Sequence, residues 1–138
     1  MTKPEQVLEA YRAAVYAKDV DALLSLYDED VCVFDMWGSW SYDGADAWRG
    51  MVTNWFASLG TERVVVALED VQTTLADGLA VIRAFVTYTG VSAEGNTLRA
   101  MHNRLTCVLR QQGDGWKIVH EHSSAPADFE TGRVILQR

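Results

Sequence analysis

Asp77-Gly78-Leu79-Ala80-Val81-Ile82-Arg83-Ala84-Phe85-Val86-Thr87-Tyr88-Thr89-Gly90-Val91 is the stretch whose reading decides the fold. An Asp-Gly pair that tolerates a tight turn leads into a long strand-like run. Three more such runs flank it: Arg63 to Leu75, Thr97 to Arg110 and Trp116 to Ser124. Between them lie Glu94-Gly95-Asn96 and Gly113-Asp114-Gly115, again residues suited to tight or left-handed turns. Long consecutive strands with short turns predict an antiparallel meander.

Upstream of Gly60 the period is helical. Thr2 and Glu5 have capping-box spacing, with Pro4 in the first turn. Val7, Leu8, Tyr11, Ala14 and Val15 then share one face. Asp19 is placed to cap a second helix carrying Leu23, Leu24 and Tyr27. Val31 to Trp37 reads as a strand with Val31, Val33, Asp35 and Trp37 on one side. Asp43-Gly44-Ala45-Asp46 opens a third helix, striped by Trp48, Met51, Val52, Trp55, Phe56 and Leu59. Ala125 to Arg138 is a tail whose Val134-Ile135-Leu136 is expected to add a short strand or dock on a neighbour. The expected architecture is α+β, with N-terminal helices packed on a long, curved, mostly antiparallel sheet. Such a sheet leaves a cavity at its open end. Its other face needs a cover, most simply a second copy, so a homodimer is expected.

The chain has 138 residues, the size of one domain over 1–138, and 49% of them are hydrophobic. That supplies a core without disulfides or a structural metal. Cys32 and Cys107 read as reduced core thiols. A net charge of −7 with no basic run argues against nucleic acid and anionic membranes as partners. No apolar run approaches a membrane span and no signal-peptide pattern is seen, so a cytoplasmic location is expected. No P-loop, Rossmann glycine pattern or Ser/His/Asp order is present, and no cofactor is implied.

Two stretches resemble a known superfamily. Tyr11-Arg12-Ala13-Ala14-Val15 through Lys18-Asp19-Val20-Asp21-Ala22-Leu23 is similar to the start of ketosteroid isomerases and SnoaL-like proteins. Asp114-Gly115-Trp116-Lys117-Ile118-Val119-His120-Glu121-His122-Ser123-Ser124 resembles the end of SnoaL-like domains and of the calcium/calmodulin-dependent kinase II association domain. The likeness implies the nuclear-transport-factor-like cone fold over nearly the whole chain. It leaves function open, because enzymes, binding proteins and assembly modules share that fold.

Asp35 is the most pointed chemical signal. A carboxylate among apolar strand residues is expected to be partly desolvated, which raises its pKa toward that of a usable general base. Val33-Phe34-Asp35-Met36-Trp37-Gly38 also resembles the isomerase segment that bears the catalytic Asp, and Tyr11 falls on that family's oxyanion-stabilising Tyr. The resemblance therefore implies Asp35 and Tyr11 as catalytic residues. It departs at the second acid: Thr97 to Arg110 contains no carboxylate and offers His102, Asn103 and Arg104 instead. The plainer alternatives are a core tyrosine and a strand-end carboxylate bonded to a loop or an Arg.

Further pocket candidates are His120, Glu121 and His122. On a strand the two histidines share a face. Without a Cys or His partner motif they read as pocket-rim or interface groups rather than as metal ligands. Arg83, Arg99 and Arg104 are either pocket anchors for a carboxylate or solvated. Trp37, Trp48 and Trp55, with Trp40 nearby, fill the core or line a pocket for an aromatic ligand. Two functions remain open: a cofactor-independent isomerase- or hydratase-like enzyme on a small apolar molecule, and a non-catalytic ligand-binding or oligomerisation module.

Overall fold

The computed structural model describes residues 2–138. Its elements run α1 (Glu5–Ala17), α2 (Val20–Leu24), β1 (Tyr27–Phe34), β2 (Tyr42–Asp43), α3 (Ala45–Ser58), β3 (Arg63–Ala76), β4 (Leu79–Val91), β5 (Thr97–Gln112) and β6 (Gly115–Ser124). The six strands form one sheet in the order β2-β1-β6-β5-β4-β3. All neighbours are antiparallel except β1 and β6, which are parallel. The three helices lie before and beside the meander and bury their apolar stripes against its inner face. Val15, Leu23, Val31, Val33, Val52, Ile82, Leu109 and Ile118 are almost wholly buried there. Each such side chain stabilises the fold by about 1.5–3 kcal/mol relative to exposure.

Several local expectations are corrected. The capping box does not form: Pro4 is the N-cap of α1 and no side chain caps it. Thr2 instead bonds the Asp114 carbonyl at 2.5 Å, and the Trp116 indole donates to the Thr2 carbonyl at 3.1 Å. These long-range bonds pin the amino-terminal segment to the β5–β6 turn and draw the threonine hydroxyl away from the helix. Asp19 does cap α2, accepting from the Ala22 N–H at 3.0 Å. Tyr27 belongs to β1 rather than to α2. It pairs with Ile118 in the parallel ladder, and burial of its ring selects the strand. That strand ends at Phe34, so Asp35 and Trp37 lie in the loop that follows. The cap of α3 is Gly44, at φ 89°, a conformation closed to ordinary side chains; Asp43 is held by β2 and by Ser41.

The tail docks on its own chain. Ala127 and Val134 form a β-bridge, the His102 N–H donates to the Leu136 carbonyl at 2.8 Å, and Gln137 Nε2 donates to the Ala100 carbonyl at 2.8 Å. The Arg138 guanidinium covers the Phe85 ring at 3.7 Å. No described helix is long and apolar enough to cross a membrane.

Candidate functional site

A single extra residue in β6 determines which of its side chains enter the cone. Leu109 of β5 pairs with Ile118, and Val108 pairs with His120, so Val119 has no partner on β5. This β-bulge shifts the alternation by one. Trp116 and Ile118 point inward before it, and Glu121 and Ser123 point inward after it. His120 and His122 are thereby turned to the outer face, where both rings meet Phe34 edge-on, at 4.8 and 5.4 Å between centroids. His120 Nδ1 also bonds the Cys32 carbonyl at 2.7 Å.

Inside the cone is a cavity of about 530 Å³. Its buried end carries polar groups, including Tyr11, Asn103, Glu121 and Ser123. Tyr88 and Asp35 join them. Tyr42, Trp48, Met51, Trp55, Leu59, Val64 and Leu136 form an apolar wall. Trp37, about half exposed, and Arg99 mark the mouth.

The polar groups form three bonded pairs. The Tyr11 and Tyr88 hydroxyls are 3.0 Å apart. Tyr27 donates its hydroxyl to Glu121 Oε1 at 2.6 Å. Ser123 Oγ donates to Asp35 Oδ1 at 3.1 Å, while the Trp37 N–H donates to Asp35 Oδ2 at 3.3 Å. Ser123 also accepts the Met36 N–H at 3.1 Å, so one serine anchors the start of the loop after β1.

Burial decides the protonation states. Desolvation raises the Asp35 pKa, and the Ser123 and backbone donors only partly oppose it. Desolvation pushes Glu121 up to about 7; the Tyr27 hydroxyl opposes the shift and the charge of Asp35 adds to it. Among the described residues no Arg or Lys forms an ion pair with either carboxylate. Tyr11 and Tyr88 are raised by burial first, so their hydroxyls remain protonated donors near neutrality. Asn103 is buried, with its Nδ2 3.5 Å from Met36 Sδ and its Oδ1 unpartnered. Whichever way the amide is turned, one end has no strong partner among the described residues. The Trp48 indole N–H makes no formed hydrogen bond but faces the Tyr27 hydroxyl, whose pKa it lowers against the larger raising effect of burial.

Of the sequence candidates, the cavity brings together Asp35, Tyr11, Trp37, Trp48, Trp55, Asn103 and Glu121. His102, Arg104, His120 and His122 lie outside it, on the outer face, which corrects their expected place in the pocket. The reason is strand parity: Asn103, Leu105, Cys107 and Leu109 point inward along β5, which turns His102 and Arg104 out. Nδ1 of His102 accepts the Arg138 N–H at 2.8 Å, and Arg104 Nε donates to Ser124 Oγ at 3.1 Å. Arg99 reaches the mouth but is paired with Glu62 at 2.6 Å, and Arg83 is exposed. Trp40 is 98% exposed and touches no part of the cavity. Tyr27, Tyr88 and Ser123 are additions that residue type alone did not single out. Tyr88 could have been found by parity with Ile82, Ala84 and Val86.

The sequence pattern of the SnoaL-like domain matches residues 5–128. The chain belongs to the SnoaL-like domain family. No curated protein matches it. Among solved structures, an NTF2-like protein of unknown function from Pseudomonas putida is 24% identical, with 97% of this chain and 92% of that one covered and a TM-score of 0.83. A protein provisionally named as an aromatic ring hydroxylase, from Novosphingobium aromaticivorans, is 25% identical over 87% of this chain and 84% of that one, TM-score 0.73. One provisionally named as a calcium/calmodulin dependent protein kinase II association domain, from Xanthomonas campestris, is 17% identical over 88% and 84%, TM-score 0.75. The fold of this SnoaL-like chain is thus the NTF2-like cone, as its two resembling stretches implied.

Proposed function

We propose that this SnoaL-like protein is a cofactor-independent acid–base enzyme acting on a small, largely apolar molecule, with Asp35 as general base and Tyr11 at the developing oxyanion. The observation that carries this reading is the shared cavity. A half-buried carboxylate without a cationic partner opens into the same apolar space as a pair of buried, protonated phenol hydroxyls. A base in that setting takes a proton from carbon, and preoriented hydroxyls stabilise the oxygen on which charge then develops. Tyr88 supports Tyr11 by fixing its hydroxyl, and the free end of Asn103 supplies a further polar contact.

The test is hydrogen–deuterium exchange of the carbon-bound protons next to the carbonyl of an aryl methyl ketone, followed by NMR. Asp35→Asn is expected to lower the protein-catalysed exchange by roughly 10²–10⁴-fold. Equal exchange by wild type and variant, both correctly folded, would sink the proposal.

A second reading is binding and assembly without turnover. The association-domain likeness of the fold supports it, as do the exposed Phe34, Val65 and Val81 on the outer sheet face, which a second copy would cover. Light scattering at micromolar concentration separates dimer from monomer.

A further inference from the structure

We infer that Glu121 is the proton donor of this site, and that Asp35 and Glu121 together remove water from a β-hydroxy carbonyl compound. This rests on the reading of Asp35 as base and narrows it from proton transfer in general to elimination.

Glu121 and Ser123 are two residues apart on the inner face of β6, and Ser123 holds Asp35. The two carboxyl groups therefore border one stretch of the cavity, and their surroundings differ in kind. Asp35 accepts two hydrogen bonds, from a hydroxyl and a backbone N–H, and is only half-buried. Glu121 is 5% exposed and accepts one, from Tyr27 to Oε1. Among the described residues no donor reaches its Oε2, and the residue borders the cavity. Donors favour the ionised form and burial favours the neutral one, so a single proton shared by the pair resides on Glu121. A pair of titratable groups held apart in this way divides into a base and an acid. The titratable groups facing Glu121 are Tyr11 from α1, Tyr27 from β1, Asp35 after it, Tyr88 from β4 and Cys107 from β5. Burial keeps the phenols and the thiol protonated, which leaves Asp35 as the charge that Glu121 senses.

The step balances without a cofactor. Asp35 takes the proton from the carbon beside the carbonyl, and the carbonyl oxygen gains charge against the Tyr11–Tyr88 hydroxyls. That charge returns to form the carbon–carbon double bond. The bond to the β-hydroxyl breaks as Glu121 Oε2 gives its proton to the departing oxygen, and water leaves. One proton has moved onto Asp35 and one has left Glu121; transfer from the first to the second restores the pair. A base alone would exchange the proton and stop there.

The probes are the aldol of acetone with benzaldehyde and its naphthaldehyde analogue, given to the intact protein in deuterated buffer. NMR reads exchange at the methylene between carbonyl and carbinol; ultraviolet absorbance reads the conjugated enone. Wild type is expected to do both. Dehydration should fall as pH rises through about 7, where Glu121 loses its proton. Glu121→Gln should lower dehydration by at least about a hundredfold more than it lowers exchange, and should lose that limb of the pH profile. Asp35→Asn should lose both. Circular dichroism establishes that each variant is folded. Exchange without dehydration in wild type, or a Glu121→Gln protein that dehydrates at the wild-type rate, overturns this inference and leaves Asp35 as base. Neither signal in wild type overturns the catalytic reading itself and this inference with it.

Discussion

The Tyr27 hydroxyl donates to Glu121 Oε1 at 2.6 Å inside the core, joining the first residue of β1 to the bulged strand β6. It is the one hydrogen bond from the described residues to this buried carboxyl. The bond favours the ionised form and holds the Glu121 pKa below the value that burial alone would impose.

Tyr27→Phe removes that donor without changing the ring that packs against Trp48. The Glu121 titration is expected to move up from about 7, because desolvation is then unopposed. Carboxyl-carbon NMR during a pH titration reads it directly. The cost in stability is expected to be about 1–3 kcal/mol, the usual penalty for stranding a buried polar group. A midpoint that stays in place or moves down contradicts the assignment of the bond.

Glu121 also predicts how stability depends on pH. Its folded pKa, about 7, stands above its ordinary value of 4.5, so the folded chain holds this proton more tightly than the unfolded chain. The stabilisation is fully present below the ordinary value and is lost as pH rises through about 7. Its size is on the order of 3 kcal/mol. Asp35 is shifted in the same direction, whereas Asp28 and Asp128 are lowered and act only in more acid solution. Urea denaturation at pH values on either side of this window is expected to show the folded state weakening toward alkaline pH. Glu121→Gln should flatten most of that slope.

The meander was legible because its turns announce themselves: Asp77-Gly78 and Gly113-Asp114-Gly115 bound strands long enough to curl. Asp35 was legible as a carboxylate in apolar surroundings and Tyr11 through the ketosteroid isomerase resemblance, and both line the cavity. The facing of β6 was not. Trp116, Ile118, His120 and His122 keep perfect alternation in the sequence, and only the unpaired Val119 breaks it in space. A bulge is set by pairing with β5 and β1, which no local pattern in β6 encodes. β5 carries no second acid, whereas a buried carboxyl, Glu121, lies one strand away on β6.

His122→Ala and His120→Ala follow from that correction. Both rings lie on the outer face against Phe34, away from the cavity. Neither substitution is expected to change the affinity for an aryl ketone, measured by thermal shift, by more than about twofold. His120→Ala forfeits the bond to the Cys32 carbonyl and is expected to cost about 1 kcal/mol of stability. A large loss of ligand affinity in His122→Ala would place that ring in the pocket after all.

Ser123→Ala tests what holds the proposed base in place. The serine donates to Asp35 and accepts from the Met36 N–H, so its removal releases both the carboxylate and the chain that carries it. Loss of the donor is expected to raise the Asp35 pKa further, since that bond favours the ionised form. The apparent pKa for proton exchange at carbon should therefore rise, which only a group acting on the base can produce. Stability is expected to fall by about 1–3 kcal/mol, because the Met36 N–H loses its partner. Exchange in alkaline solution, where Asp35 is ionised with or without the serine, should recover much of the lost rate. If the deficit is equal at every pH, Ser123 positions the loop without tuning the carboxylate.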